Sequence, residues 1–327
     1  MGAETNRHSR RLILVTGCPR SGTTAVGEVL SSAPASQYLY EPMNLSSGDE
    51  VIQHYFEVPG TDDFPFEVFD DLVLRMRSLK LDLKPGVFES DRGLYKIAKT
   101  VIGGRSKASL WRCRLQPGLR NIIWKDPLAA SAAVAAAERH DIPVLVTVRP
   151  IHAIAASFKR MGWGFGLVRL QKDLEAQGLI APMDLPHEHS ENSAMNGAML
   201  SVMLYSALAK AAARTDRIRF VSVDDIIGAP HDTYRRVFDW AGLIYSSSVE
   251  ATVDKMYRSR PGAGDMPSGD RAHSRNNSLA SVNRYWRRLL SDEEIDAIER
   301  MSAAVDLSAI DQFSLSGSAL AVANGPG

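Results

Sequence analysis

The segment LILVTGCPRSGTT, residues 12–24, determines the fold that we predict for this chain. Its first five residues form an apolar run of the length of a buried strand, and a helical pattern over residues 23–32 follows the loop. The loop contains Gly17 and Gly22. Glycines let the backbone turn tightly, so that successive N–H groups face an anion at the positive end of the next helix. The segment therefore predicts a strand, an anion-binding loop and a helix.

Strand and helix patterns alternate along the rest of the chain. Further apolar runs lie at residues 121–124, 144–148 and 218–223, and helical patterns lie at 129–139, 152–159 and about 193–214. This alternation predicts an α/β fold with a P-loop-like parallel sheet flanked by helices. Ligands bind such sheets at the carboxyl ends of the strands, so the residues that follow each run are the candidates for a functional site.

The length and composition favour one large domain. The chain has 327 residues and is 45% apolar, which is enough for a substantial core without a disulfide or a structural metal. We predict a single domain over residues 1–314, with insertions at about 45–120 and 162–192, and a disordered tail at 315–327. Both insertions are candidate acceptor-binding elements. In the second, Trp163 and Phe165 either stack on an acceptor or pack in the core.

The composition also excludes several classes of partner. Lys plus Arg equals Asp plus Glu at 38 each, which argues against a nucleic-acid partner. Two cysteines make no metal-ligand set with histidine at a recognisable spacing, so we expect no metal. Residues 1–11, MGAETNRHSRR, contain no apolar stretch of the kind found in signal peptides, and no run approaches about 18 apolar residues. We expect a cytoplasmic protein without stable membrane insertion. Its oligomeric state is not indicated by the sequence.

The loop differs from the nucleoside-triphosphate loop called Walker A at one position. Walker A has Lys after its second glycine, and Thr23 stands there in this chain. That Lys reaches the β- and γ-phosphates, and no strand convincingly ends in an Asp that could hold Mg²⁺. Arg20 can instead bond a 5′-phosphate from the side. A kinase-like phosphotransferase is disfavoured, but it and a non-catalytic nucleotide-binding module stay open as alternatives.

The sequence PRSGTT, residues 19–24, resembles the 5′-phosphosulfate loop of sulfotransferases that depend on 3′-phosphoadenosine-5′-phosphosulfate (PAPS), especially the carbohydrate type. The resemblance implies the sulfotransferase fold and PAPS as co-substrate. It also implies that the loop side chains and N–H groups bind the donor. The residues concerned are Arg20, Ser21, Gly22, Thr23 and Thr24.

Two later segments resemble other parts of the donor site of this family. Arg149 follows the third apolar run, and Ser157 lies eight residues later in the next helix. In the family an Arg and a Ser at this spacing hold the 3′-phosphate, and a guanidinium suits that role because it is a permanently charged forked donor. Arg275 lies in a segment that resembles the C-terminal part of the family that folds over the nucleotide, which implies a nucleotide contact.

The catalytic residues are also implied by resemblance. Lys125 precedes Arg149 by 24 residues, as the family's catalytic Lys does, and can stabilise charge on the bridging oxygen. Small-molecule members have a His base two residues after this Lys, where Pro127 stands here. Glycan-type members have a Glu base about twenty residues after the loop, which matches Glu41, 21 residues after Arg20. Asp126 stays open as the alternative base.

Together these patterns predict a sulfotransferase that moves the sulfuryl group of PAPS to a hydroxyl of a small-molecule or glycan acceptor and releases 3′,5′-ADP. The implied catalytic residues are Glu41, Lys125 and Arg20. The acceptor itself has no recognisable signature in the sequence.

Overall fold

A parallel sheet forms the centre of the molecule. The computed structural model describes residues 10–85, 104–186, 190–257 and 285–315. All neighbouring strands of the five-stranded sheet are parallel, and their order is β2-β3-β1-β4-β5. The strands are β1 (Arg11–Thr16), β2 (Ser36–Tyr40), β3 (Asn121–Lys125), β4 (Val144–Val148) and β5 (Ile218–Ser222). The predicted α/β class, with a parallel sheet flanked by helices, is confirmed.

Helices cover both faces of this sheet. Those on the described part of the chain are α1 (Thr23–Ser31), α2 (Phe66–Ser78), α3 (Arg105–Leu115), α4 (Ala133–His140), α5 (Ile151–Met161), α6 (Leu167–Ala176), α7 (Ser193–Ala212), α8 (Val223–Gly228), α9 (Pro230–Ala241), α10 (Ser247–Tyr257), α11 (Asp292–Ala303) and α12 (Ser308–Gln312). Short 3-10 helices span Pro127–Ala130 and Tyr285–Arg288. Within these described ranges, none of the helices has the length and apolar content that crossing a membrane requires.

The apolar run of β1 is continuous because both faces of the strand are buried. Leu12 and Leu14 belong to the larger core cluster, which includes residues of α2, α4, α5 and α7. Ile13 and Val15 point the other way and pack with residues of α1, α9 and α10. Successive side chains of a strand alternate between faces, so a strand covered on both sides is apolar at consecutive positions, as residues 12–15 are.

Most predicted elements agree with the structure to within one or two residues, but two predictions differ. The single helix predicted over residues 129–139 is wrong, because a 3-10 turn at Pro127–Ala130 precedes α4. The Asp126 side chain accepts a hydrogen bond from the Leu128 N–H, and this contact begins the separate turn. The strand β2 was not among the predicted apolar runs, since its sequence SQYLY mixes polar and apolar residues.

The first predicted insertion contributes to the core. Helix α2 buries Phe69 and Val73 in the larger cluster, and Asp49 forms a buried 2.6 Å ion pair with Arg75 of the same helix. Residues 86–103 and 187–189 of the two insertions lie outside the described residues, as does the tail from residue 316. The single-domain boundary at residue 314 stays a prediction.

The strand order identifies the edge at which a ligand would bind. After β1 the chain forms β2 and β3 on one side of it, and then β4 and β5 on the other side. The direction of winding therefore reverses at β1. Doubly wound sheets bind ligands at such a switch point, in the crevice outside the carboxyl ends of the strands. The loop after β1 occupies this position.

Candidate functional site

Two glycines give the loop after β1 its shape. Gly17 has a φ of 143°, and a Cβ built on it would lie 2.4 Å from the Thr147 carbonyl oxygen of β4. Any side chain would therefore collide with the neighbouring strand. Gly22 has a φ of 95° and directly precedes α1. Both backbone conformations favour glycine, so the loop can turn back sharply into the helix.

Buried hydroxyl groups hold the loop against β4. The Ser21 and Thr147 hydroxyls are 2.7 Å apart, and Thr147 Oγ1 donates to the Thr16 carbonyl oxygen at 3.1 Å. The Ser21 hydroxyl is therefore the donor in its bond to Thr147. The Ser21 N–H donates to the Cys18 carbonyl oxygen at 3.0 Å. Both polar groups by which Ser21 was predicted to bind the donor are thus engaged within the protein.

The amino end of α1 faces the crevice with its backbone donors. Gly22 precedes the helix and has no side chain that could cap it. The first N–H groups of an α-helix have no acceptor within the helix, and the helix dipole adds positive potential at this end. Thr23 is buried and Thr24 is half-buried in the first turn. This part of the loop has the arrangement that binds phosphate or sulfate.

Three predicted residues from distant parts of the chain form what we call the arginine cluster: Arg20, Arg149 and Ser157. Arg20 Nε donates to Ser157 Oγ at 3.0 Å, across 137 positions of sequence. Arg149 Nη1 donates to the Arg20 carbonyl oxygen at 3.1 Å. Arg149 is only 4% exposed and Ser157 is fully buried. The loop after β1 and the helix after β4 therefore meet in one buried, positively charged cluster.

The electrostatics of the arginine cluster are unfavourable for the ligand-free protein. Burial and, after it, the neighbouring Arg149 guanidinium lower the pKa of Arg20 to about 10, so Arg20 stays charged at neutral pH. Burial also lowers the pKa of Arg149. An anion bound between them would offset the desolvation and the repulsion.

Glu41 and Lys125, which we call the Glu–Lys pair, lie at the ends of β2 and β3. Lys125 Nζ is 2.5 Å from Glu41 Oε1, with the side chains 3% and 12% exposed. Asn44 Nδ2 donates to the other carboxylate oxygen at 2.9 Å. The ammonium also lies 4.6 Å from the centroid of the Tyr40 ring. The predicted base and the predicted catalytic Lys are therefore in direct contact.

The ends of β2 and β3 and helix α1 pack closely around the Glu–Lys pair. Glu41 has a φ of 45°, a left-handed conformation that costs a non-glycine residue about 1–2 kcal/mol. Its N–H donates to the Lys125 carbonyl oxygen at 2.9 Å. On the other side, a Cβ on Gly27 of α1 would lie 2.7 Å from the Tyr38 ring and 3.1 Å from Lys125 Cβ. Gly27 lets α1 pass close to the Lys125 side chain.

The side chain of Asp126, the alternative base, makes hydrogen bonds that stabilise the local backbone. It is fully buried, and its two oxygens accept hydrogen bonds from the Met43 N–H at 2.7 Å and the Leu128 N–H at 3.0 Å. Burial raises its pKa to about 7, and the Glu41 charge adds to the effect. Although Asp126 directly follows β3, both oxygens point to backbone donors. Among the residues that the structure describes, no group of three or more His, Cys, Asp or Glu could hold a metal ion.

The remaining predicted residues are Trp163, Phe165 and Arg275. Trp163 borders the arginine cluster, with its ring centroid 5.8 Å from Arg20 Cζ. Phe165 packs edge-on against Tyr55 and Phe56, with centroids 5.1 Å away in both cases. The Phe165 contacts are those of core packing. Arg275 lies outside the described residues.

Several residues that complete these two groups were not among those predicted from the sequence. Tyr285 is buried and hydrogen-bonded to the Arg149 side chain, from a segment more than a hundred residues away in sequence. No local sequence pattern predicts the contact between Tyr285 and Arg149. Asn44 follows Glu41 by three residues, and a search for side-chain donors near the candidate base would have found it. Thr147 lies within the predicted strand 144–148, and its position there does not indicate the hydroxyl contact with Ser21.

Comparisons with known proteins give only a distant likeness. No family model and no curated protein matches the chain. Among solved structures, a sulfotransferase from Mycobacterium avium is 14% identical and superposes with a TM-score of 0.43, over 90% of this chain and 76% of that one. The sulfotransferase domain of the Synechococcus PCC 7002 olefin synthase is 15% identical over 94% of this chain and 99% of that chain, with a TM-score of 0.40. A sulfotransferase domain of the curacin biosynthetic pathway is 12% identical, with coverages of 91% and 99% and a TM-score of 0.43.

Proposed function

We propose that this chain is a sulfotransferase that transfers the sulfuryl group of PAPS to a hydroxyl group and releases 3′,5′-ADP. One observation carries the proposal. The predicted residues lie at the carboxyl ends of four adjacent strands in spatial order: Glu41 after β2, Lys125 as the last residue of β3, the loop with Arg20 after β1, and Arg149 after β4. A donor lying along this edge would meet the base, the catalytic Lys, the 5′ loop and the 3′-phosphate residues in turn.

The donor is held at two points in this proposal. The α1 end of the loop, with the N–H groups and hydroxyls of Thr23 and Thr24, receives the 5′-phosphosulfate. Arg149 and Ser157 receive the 3′-phosphate, and Arg20 contacts both regions because its side chain already reaches Ser157. Ser21 acts indirectly, since its hydroxyl secures the loop to Thr147. Arg275 remains a proposed nucleotide contact on the basis of its resemblance.

The transfer step uses the Glu–Lys pair. Glu41 takes the proton of the acceptor hydroxyl as its oxygen attacks sulfur and forms the new S–O bond. The S–O bond to the 5′-phosphate breaks, and its electron pair stays on the departing oxygen of 3′,5′-ADP. Lys125 and Arg20 stabilise that negative charge. A sulfuryl group carries less charge than a phosphoryl group, so the proposed step needs no metal ion.

Glu41 is the better candidate for the base because of its contacts. Asp126 is fully buried, and both of its oxygens accept backbone hydrogen bonds. Glu41 is partly exposed, and its carboxylate oxygens are bonded by side-chain groups, Lys125 Nζ and Asn44 Nδ2. An acceptor hydroxyl can replace such a side-chain partner more easily than a backbone N–H. We therefore assign the proton transfer to Glu41.

The acceptor is proposed to be a saccharide or glycoconjugate. This choice rests on the Glu41 position, which resembles the glycan-type members of the family, and a smaller alcohol would be accommodated by the same chemistry. The kinase-like alternative requires a Lys at Thr23 and a free carboxylate for Mg²⁺. Both requirements fail at this site, since the Asp126 oxygens are occupied.

A transfer assay tests the proposed function. The purified protein is incubated with PAPS labelled in its sulfuryl group and with a panel of saccharides and simple alcohols. We expect label on at least one hydroxyl acceptor, no requirement for Mg²⁺, and release of 3′,5′-ADP. Transfer of the γ-phosphate from ATP to the same panel, with no transfer from PAPS, would contradict the proposal.

A further inference from the structure

A third arginine lies beside the arginine cluster and belongs to none of the motifs that the sequence analysis identified. Arg160 is on α5, three residues after Ser157. Side chains three residues apart share one face of a helix, so Arg160 and Ser157 point to the same side. Its Cζ lies 5.8 Å from the centroid of the Tyr285 ring, and Tyr285 is hydrogen-bonded to Arg149. Tyr285 thus stands between two guanidinium groups.

The guanidinium group of Arg160 has unused donors in a buried position. Its Nε and Nη1 atoms are inaccessible to solvent and have no hydrogen-bond partner. No carboxylate of the described residues lies within ion-pair distance of it. A buried donor left unsatisfied is destabilising, and more so when it is charged. A ligand oxygen beside Arg160 would satisfy these donors.

The surroundings of Arg160 identify the charge of that ligand. Arg160 adds to the repulsion at Arg20, whose pKa is lowered first by burial, then by Arg149, and also by Arg160. The guanidinium groups of Arg20, Arg149 and Arg160 therefore act on one small region. The Asp224 carboxylate offsets part of the charge at Arg149, and the three guanidinium groups together still favour an anionic ligand. A phosphate monoester carries about two negative charges at neutral pH and offers three acceptor oxygens.

We infer that Arg160 binds the 3′-phosphate of the donor together with Arg149 and Ser157. The inference rests on the proposed function and adds a residue and a selectivity to it. Arg149 and Ser157 contact the phosphate from the loop side, and the unused Nε and Nη1 donors of Arg160 bond its remaining oxygens. The subsite then selects a terminal phosphate monoester, and a nucleotide with a free 3′-hydroxyl leaves these donors unsatisfied.

Calorimetric titration of paired nucleotides tests this role. The wild-type protein, Arg160→Gln and Arg160→Lys are each titrated with 3′,5′-ADP and with 5′-AMP, which lacks the 3′-phosphate. Lys159→Gln is the matched control, because it removes an adjacent charge that pairs with Glu294 at 2.7 Å, away from the cluster. We expect Arg160→Gln to weaken binding of 3′,5′-ADP about tenfold to a hundredfold and to leave 5′-AMP unchanged.

The other variants separate the possible outcomes. Arg160→Lys keeps the positive charge but loses the forked guanidinium donors, so we expect an intermediate loss of affinity for 3′,5′-ADP. We expect Lys159→Gln to leave the affinity unchanged. Equal weakening of both nucleotides, or no weakening of either, would overturn the role of Arg160 while the wild-type protein still prefers 3′,5′-ADP. If the wild-type protein itself binds the two nucleotides equally, the proposed function fails, and the role of Arg160 fails with it. If Arg160→Gln does not fold, the Arg160→Lys variant tests the role instead, and weakening of 3′,5′-ADP binding without weakening of 5′-AMP binding supports it.

Discussion

The arginine cluster and the Glu–Lys pair lie at the same edge of the sheet but differ in charge. The Glu–Lys pair joins opposite charges, whereas the arginine cluster holds two positive charges. Lys125 and Glu41 neutralise each other at 2.5 Å. Arg20 and Arg149 are instead two buried cations in contact; burial lowers the pKa of both, and the Arg149 charge also lowers that of Arg20. One region balances its charges within a pair, whereas the other gathers positive charge. The first offers a carboxylate that can accept a proton, and the second offers positive charge that can bind an anion.

The largest expected effect is on catalysis by the Glu–Lys pair. Glu41→Gln keeps the size of the side chain but removes the proton acceptor, so we expect kcat for sulfuryl transfer to fall about 10²- to 10⁴-fold. The Kd for 3′,5′-ADP should stay unchanged, because the arginine cluster is intact. Glu28→Gln, at an exposed position of α1, is the control and should change neither quantity. Sulfation that continues at the wild-type rate in Glu41→Gln would disprove the assignment of the base.

The next effect concerns the arginine cluster and should show the reverse pattern. Arg149→Ala removes a buried donor of the proposed 3′-phosphate site, so we expect Kd for 3′,5′-ADP to rise about tenfold to a hundredfold, with a smaller change in kcat at saturating donor. Titration of the nucleotide into the variant measures the change. A fall in kcat with an unchanged Kd would mean that the two regions do not divide binding and catalysis as proposed.

A pH effect on stability is expected at Asp126, next to the Glu–Lys pair. Burial raises the pKa of Asp126 from 3.8 to about 7. The folded state therefore holds this proton more tightly than the unfolded state, and its contribution to stability falls as pH rises from about 4 to 7. Urea unfolding of the wild type and of Asp126→Asn over this range measures the effect. We expect the variant to be less stable at low pH but to lose less stability as pH rises. Parallel pH profiles would contradict the raised pKa.

The smallest effect is expected from the hydroxyl groups beneath the loop. Thr147→Val keeps the shape of the side chain but leaves the Ser21 hydroxyl and the Thr16 carbonyl oxygen without this partner. We expect a loss of about 1 kcal/mol in the free energy of unfolding and a weakening of 3′,5′-ADP binding by a few-fold. Thr252→Val, which removes a hydroxyl bonded within α10, is the matched control for stability. A stable variant with unchanged binding would show that the hydroxyls do not position the loop.

The sequence predicted those parts of the fold that depend on local patterns. The run of β1 is apolar throughout because both of its faces are buried, and the glycines of the loop are required by its backbone angles. The strand β2 was missed because its signal lies in its pairing with β3, which no local pattern reveals. The helix predicted over 129–139 failed because the Asp126 side chain favours a separate turn.

The candidate site was predictable where residues follow strands. Parallel strands end at one edge, so Lys125, Arg20 and Arg149 were expected there, whereas Glu41 came only from the family resemblance because β2 was missed. Residues that act through contacts with distant segments, such as Tyr285 and Arg160, have no such signal. Ser21 lies in the predicted loop, but its hydroxyl bonds Thr147 in the interior, and its contact with the donor stays a prediction. Position along a strand predicts location, but only the packed structure gives the direction of a side chain.

The central claim is that the arginine cluster recognises a 3′-phosphate, and thermal unfolding with 3′,5′-ADP, ADP and Mg-ATP in parallel tests it most directly. A ligand that binds only the folded state raises the unfolding temperature by mass action, without any knowledge of the acceptor. We predict a clear increase with 3′,5′-ADP, a smaller one with ADP and none beyond that of ADP with Mg-ATP. A larger increase with Mg-ATP, or equal increases with all three nucleotides, would contradict the claim.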